Sequence, residues 1–173
     1  MENTQKLLQA CHVEFDFSPS KKSLNQQTYS GCVEKDRAML RELAYKGLGY
    51  RYPEQDEKVL QRIEKELELI VKMGFVSYFL MNWDIVHYAK SKGYFHVGRG
   101  SGANSIVAYL LGITDVDPME LDLYFERFIN LYRTTPPDFD IDFSWRDRED
   151  VTRYIFERFP NTALLGTYVT FSH

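Results

Sequence analysis

The chain has 173 residues, enough for one domain or one domain with an appended subdomain, and its 44% hydrophobic and 27% charged residues are ordinary globular composition. A formal net charge of −4 argues against a dedicated nucleic-acid-binding domain, which is normally basic, but leaves room for a carboxylate-lined metal site with locally clustered cations. Two cysteines (Cys11 and Cys32) without a CxxC pair, and four scattered histidines (His12, His87, His96, His173), argue against a structural zinc site. No apolar run approaches membrane-spanning length, and Met1 to Lys6 has no signal-peptide core, so a cytoplasmic protein with no membrane partner is expected.

Residues 1–33 read as a loosely structured lead-in, with turn-forming Ser18-Pro19-Ser20 and Asn25-Gln26-Gln27 and little periodicity. A helical stretch, 34–93, follows. Met39, Leu40, Leu43 and Ala44 share the face of a first helix that Gly47 and Gly49 are expected to end. Val59, Leu60, Ile63, Leu67, Ile70 and Val71 recur at helical spacing in a second, longer helix, broken by Gly74. A third, apolar on more than one side and therefore buried, runs from near Ser77 to Gly93. The last stretch, 94–173, alternates strand and helix. Tyr94-Phe95-His96-Val97 is β-prone, Ala103 to Leu111 helical, and Asp117-Pro118 a helix start for 119–129. Asp138 to Phe143 alternates acidic and apolar residues, 148–159 is helical, and 164–171 is strand-like. The expected class is α+β, with a helical N-terminal part packed on a small mixed sheet.

Two features carry chemistry. In a strand, Asp138, Asp140 and Asp142 share one face and Phe139, Ile141 and Phe143 the other. Carboxylates crowded on one face repel unless a cation neutralises them, and hard divalent ions with oxygen ligands do so. Asp is also a poor strand former, so a merely solvated edge is the weaker explanation. The second feature is Gly98-Arg99-Gly100-Ser101-Gly102, between a strand-like run and a helix. Glycines allow close approach of a phosphate, turn and helix-start amides donate to it, and Arg99 and Ser101 add a guanidinium and a hydroxyl. The run matches neither the Walker pattern nor a dinucleotide fingerprint. A phosphate cradle beside a carboxylate strand is the equipment of phosphoryl or nucleotidyl transfer.

On these residues the chain resembles the alpha subunit of bacterial DNA polymerase III, the C-family replicative polymerase. The family pattern Gly-Arg-Gly-Ser-Gly-Ala-x-Ser stands at Gly98 to Ser105, and Pro-Asp-x-Asp-x-Asp-Phe at Pro137 to Phe143. Ile113-Thr114-Asp115-x-Asp117-Pro118, Phe125-Glu126-Arg127-Phe128 and Met73-Gly74-Phe75-x-x-Tyr78-Phe79-Leu80 also fit. The likeness runs from about Ala10 to Phe171, with one departure: His96-Val97 replaces the Gly-Pro common before the glycine motif. It implies part of a palm related to β-type nucleotidyltransferases, its core in 94–173. Asp138 and Asp140 would be the catalytic metal ligands, with Asp142 in support. Gly100 and Ser101 would hold the triphosphate, with Arg99, Arg127 and Arg133 as further contacts. The implied cofactor is Mg²⁺, two ions in the complete enzyme, with Mn²⁺ able to substitute. The implied partners are primer-template DNA, a deoxynucleoside triphosphate and other replicase subunits.

The family takes a third catalytic carboxylate from a later strand beyond an inserted thumb, and neither that strand nor the fingers fall within these residues. The expectation is therefore a piece of a larger polymerase, with little or no activity alone. Three rivals remain: a stand-alone β-type nucleotidyltransferase, a non-catalytic phosphate- or nucleotide-binding module, and an interaction domain built on the helices of 34–92.

Overall fold

A computed structural model describes residues 2–11, 26–54, 56–132, 137–164 and 166. In chain order the elements are α1 (Glu2–Ala10), α2 (Val33–Arg51), α3 (Glu57–Lys72), α4 (Val76–Ser91), β1 (His96–Arg99), α5 (Ile106–Leu110), β2 (Asp140–Phe143) and α6 (Arg148–Arg158). Single 3₁₀ turns occupy Gly100–Asn104 and Phe125–Arg127. The architecture is α+β and mostly helical, and the described strands form one two-stranded antiparallel sheet rather than a mixed one.

The core is helical because the apolar periodicity is helical. In α3, Asp56 accepts from the Lys58 amide to cap the first turn, and Val59, Ile63, Leu67 and Ile70 form the buried stripe. In α2 the stripe is Leu40, Ala44 and Leu48. In α4 Val76, Phe79, Leu80, Val86 and Ala89 are buried, leaving little of that helix in water. All five residues of α5 are buried, and the short helix lies in the middle of the core, in contact with α2 and α3. Among the described residues no single helix is long and apolar enough to cross a membrane.

Four further expectations need correction or restriction. The lead-in carries α1, since residues 2–10 contain good helix formers with no Gly or Pro; its described side chains are exposed, so no packing pattern announces it. Helix α2 runs through Gly47 and Gly49 to Arg51. Gly47 is there for contact, not termination: a Cβ on it would run into the carbonyl of Leu110, so its absence lets α2 and α5 touch. No helix spans 119–129. Asp117 caps only one turn, accepting from the amides of Met119 and Glu120, and Asp122 then takes a left-handed conformation (φ 49°). The apolar spacing of Phe125, Phe128 and Ile129 survives as a buried anchor on a 3₁₀ turn. The strand expected over 164–171 lies almost wholly outside the described residues.

Candidate active site

The glycine turn and the acidic segment, nearly forty residues apart in sequence, are joined by the sheet. Strand β1 pairs with β2 in the register His96↔Phe143, Val97↔Asp142, Gly98↔Ile141 and Arg99↔Asp140. Alternation then sorts the side chains: Val97, Arg99, Asp140 and Asp142 on the open face, His96 buried and Ile141 and Phe143 half-buried on the other. Of the three aspartates, Asp140 and Asp142 are in the strand, whereas Asp138, exposed, precedes it.

Three glycines of the motif each meet a different neighbour. A Cβ on Gly98 would collide with the carbonyl of Ile113, the segment whose Thr114 hydroxyl donates to the Gly98 carbonyl at 3.2 Å. Gly100 turns the chain at φ 73°, and its open side faces Oδ2 of Asp140. Gly102 lies against the Phe139 ring, which a Cβ would approach to 2.6 Å. The spacing therefore serves strand-to-turn contact as well as any phosphate. Phe139 is the hinge-pin of this contact. It packs against Tyr78, Phe79 and Phe128, and its amide donates to the Tyr78 hydroxyl at 2.8 Å.

The electrostatics of the open face centre on Arg99. Its Nε donates to Oδ2 of Asp142 at 2.7 Å, and its Nη1 lies 3.5 Å from Oδ2 of Asp140. The Asp142 bond, with the charges of Asp142 and Asp140, raises the guanidinium pKa further above its ordinary value. Arg99 thus lies across both strand carboxylates, where the sequence placed it on a triphosphate. Among the described residues no three or more His, Cys, Asp or Glu side chains converge as a metal cluster. Asp140 and Asp142 nonetheless fit a magnesium-type ion, which needs only one or two carboxylates when phosphate and water complete its shell. The contact of Asp140 with a glycine rather than a side chain leaves that carboxylate approachable from the turn.

The amides at the start of α5 are already engaged. Glu66 of α3, fully buried, accepts from the Ser105 hydroxyl (2.8 Å) and from the amides of Ile106 (3.2 Å) and Val107 (3.3 Å). Arg62 neutralises it at 2.7 Å and donates to the carbonyls of Asn104 and Leu123. Burial pushes the Glu66 carboxyl up, against the lowering pull of Arg62 and these donors. The anion at this helix start is therefore the protein's own carboxylate, which already takes the Ile106 and Val107 amides. The sequence held a signal for Glu66: it interrupts the apolar stripe between Ile63 and Ile70.

Of the other sequence candidates, Ser101 is half-buried in the turn, and Arg127 is exposed on the Phe125–Arg127 turn. Arg133 lies outside the described residues. At the departure from the family pattern, Val97 is exposed while His96 is buried with Nε2 bonded to the Gly112 carbonyl at 3.2 Å. Burial, then the nearby Lys90 ammonium, hold His96 below its usual pKa.

The model of the family described as "Bacterial DNA polymerase III alpha NTPase domain" matches residues 38–173. The chain belongs to this DNA polymerase III alpha family. It is 40% identical over 170 residues to "DNA polymerase III subunit alpha" of Treponema pallidum, covering 98% of this chain and 14% of that protein. It is 47% identical over 123 residues to "Error-prone DNA polymerase" of Anaeromyxobacter dehalogenans, covering 70% of this chain and 11% of the relative. The same identity holds over 137 residues to "Error-prone DNA polymerase" of Methylococcus capsulatus, covering 78% and 13%. The chain thus spans roughly a tenth to a seventh of the relatives it matches. The DNA polymerase III alpha match includes the glycine turn, the aspartate strand and the Glu66 network together.

Proposed function

We propose that this chain is part of the palm of a template-directed DNA polymerase of the β-type nucleotidyltransferase kind, cytoplasmic, extending a primer 3′-hydroxyl with deoxynucleoside triphosphates. The observation that carries this reading is the β1–β2 register that sets Arg99 opposite Asp140, with its guanidinium on Asp140 and Asp142 and Gly100 against Oδ2 of Asp140, within a chain of the DNA polymerase III alpha family.

Asp138 and Asp140, with Asp142 in support, would hold Mg²⁺ or Mn²⁺, which supplies activation of the primer hydroxyl and neutralisation of charge on the triphosphate. The residues present do the positioning. The Gly100–Ser101 backbone and the Ser101 hydroxyl orient the triphosphate, and Arg99, Arg127 and Arg133 supply positive charge to its oxygens. Base choice would come from template pairing, and primer-template DNA and other replicase subunits would be held mainly by the rest of the polymerase. A third carboxylate from elsewhere in that polymerase would complete the metal site, so this chain alone is expected to show little or no primer extension.

The test is calorimetric titration of Mn²⁺ and a deoxynucleoside triphosphate into the wild-type chain and into Asp140→Asn and Asp138→Asn. Binding that either substitution abolishes supports a preformed half-site. Nucleotide binding at the glycine turn that ignores Asp140→Asn would instead favour the non-catalytic phosphate-binding module. Robust metal-dependent extension of a primed template would overturn the expected inactivity.

A further inference from the structure

Arg99 stands where a metal-holding face should not keep a permanent cation. Directly opposite Asp140 in the register, it reaches diagonally to Asp142, so one guanidinium spans both strand carboxylates. A single cross-strand ion pair would suffice to anchor the strand; engagement of two like-charged groups is what a neutralising counter-ion does. Both contacts lie in water: the side chains are 58% exposed for Arg99, 57% for Asp142 and 46% for Asp140. Ion pairs so exposed are weak and screened, and a doubly charged ion with oxygen preference outcompetes them. Asp140 belongs both to this arrangement and to the metal ligands proposed above, so the guanidinium and a divalent ion compete for it. Arg99 also immediately precedes the Gly100–Asn104 turn, so once displaced it stays tethered beside the backbone proposed to take the triphosphate.

We propose that Arg99 is a placeholder cation: it holds Asp140 and Asp142 together in the metal-free chain, is displaced by the divalent ion, and then engages the triphosphate. This rests on the metal and triphosphate reading above and adds an order of events. It also makes a signature that a purely structural arginine does not. Removing the guanidinium tightens metal binding without nucleotide, and weakens nucleotide binding with metal present.

The experiment measures Mn²⁺ binding to wild type, Arg99→Gln and Asp140→Asn by calorimetry, then deoxynucleoside triphosphate binding at saturating Mn²⁺. Alongside, the Arg99 Nε–H resonance of wild type is followed during a Mg²⁺ titration. Arg99→Gln is expected to bind Mn²⁺ about three- to tenfold more tightly than wild type, the scale of two exposed ion pairs removed, and the nucleotide several-fold more weakly. The wild-type Nε–H signal is expected to shift in step with metal saturation. Equal or weaker Mn²⁺ affinity in folded Arg99→Gln overturns the proposal. So does an Nε–H signal unmoved at Mg²⁺ saturation, which decides the matter if the variant fails to fold. Mn²⁺ binding lost in Asp140→Asn but unchanged in Arg99→Gln defeats the placeholder role alone. Absence of Mn²⁺ binding in every form, Arg99→Gln included, defeats the metal-site reading and the placeholder with it.

Discussion

Gly100 and Asp140 are in contact: the glycine turns at φ 73° and presents its bare Cα to Oδ2 of the aspartate. A methyl group there is wrong twice, by conformation and by collision. Gly100→Ala is expected to cost about 1–3 kcal/mol in urea denaturation, the range for a forced left-handed residue, and to weaken Mn²⁺ binding by moving Asp140. Gly49 provides a control of opposite sign. It lies inside α2, exposed, with nothing within 4 Å of an added Cβ, and Gly49→Ala should gain roughly 0.5–1 kcal/mol. Equal effects at the two glycines would refute the contact argument.

Glu66 is buried completely with Arg62 as its counter-ion, so the two truncations of it should differ. Glu66→Ala leaves Arg62 without its counter-ion and the α5 amides without their acceptor, and a loss of about 3–5 kcal/mol is expected, the range for breaking a buried pair. Glu66→Gln keeps an acceptor and should lose less. Its pH dependence is the sharper check. Burial raises the folded-state pKa above the carboxyl's ordinary 4.5. The folded chain therefore holds that proton more tightly than the unfolded one. This group's contribution is largest at low pH and declines as pH rises from the unfolded value through the folded one. Urea midpoints from acid to neutral pH should fall more steeply for wild type than for Glu66→Gln; parallel curves would remove Glu66 as the titrating group.

Asp84 of α4 ties down the helix that follows the aspartate strand. Its Oδ1 accepts from the Tyr154 hydroxyl at 3.0 Å and its Oδ2 from Arg158 Nε at 2.9 Å, both on α6. The Arg158 side chain is 42% exposed, so solvent screening leaves Asp84→Ala a global cost of only about 1 kcal/mol. The local effect should be larger: faster amide hydrogen exchange in α6 and at the end of β2, with α3 and α5 unchanged. Uniform acceleration across all helices would show that the clasp is not local.

What could be read from the residues alone follows from what each signal reports. Helix α3 was legible from its apolar period, α4 as an apolar run between Gly74 and Gly93, and α6, expected over 148–159, runs over Arg148–Arg158. The C-terminal end of α2 and the turns of 119–129 were not legible, because Gly47 answers to Leu110 sixty residues away and Asp122 to a local left-handed bend. At the site, alternation announced the shared face of Asp140 and Asp142, and adjacent glycines announced a turn. Neither announced the antiparallel register that sets Arg99 opposite Asp140, since pairing is a long-range property. Glu66 advertised itself as a charge in an apolar stripe, but its partners Ser105, Ile106 and Val107 became visible only once α5 lay against α3.

Tyr78 connects the core to the aspartates. Its hydroxyl accepts from the Phe139 amide, the one peptide N–H between Asp138 and Asp140, and its ring stacks on Phe139 at 5.4 Å. On its other side Phe139 fills the space left by Gly102, so the aspartate segment is held between α4 and the glycine turn. Tyr78→Phe keeps the stack and removes the hydroxyl that accepts from the Phe139 amide. A stability loss of about 1 kcal/mol is expected, the net worth of one partly buried hydrogen bond. Mn²⁺ affinity should fall about threefold as the Asp138–Asp140 backbone loosens, half a kcal/mol or so of orientation. Tyr78→Ala removes both supports and should exceed Tyr78→Phe in each readout. If Tyr78→Phe matches wild type in urea and in Mn²⁺ titration, the hydroxyl does not position the aspartates, and stacking against Phe139 alone sets the segment.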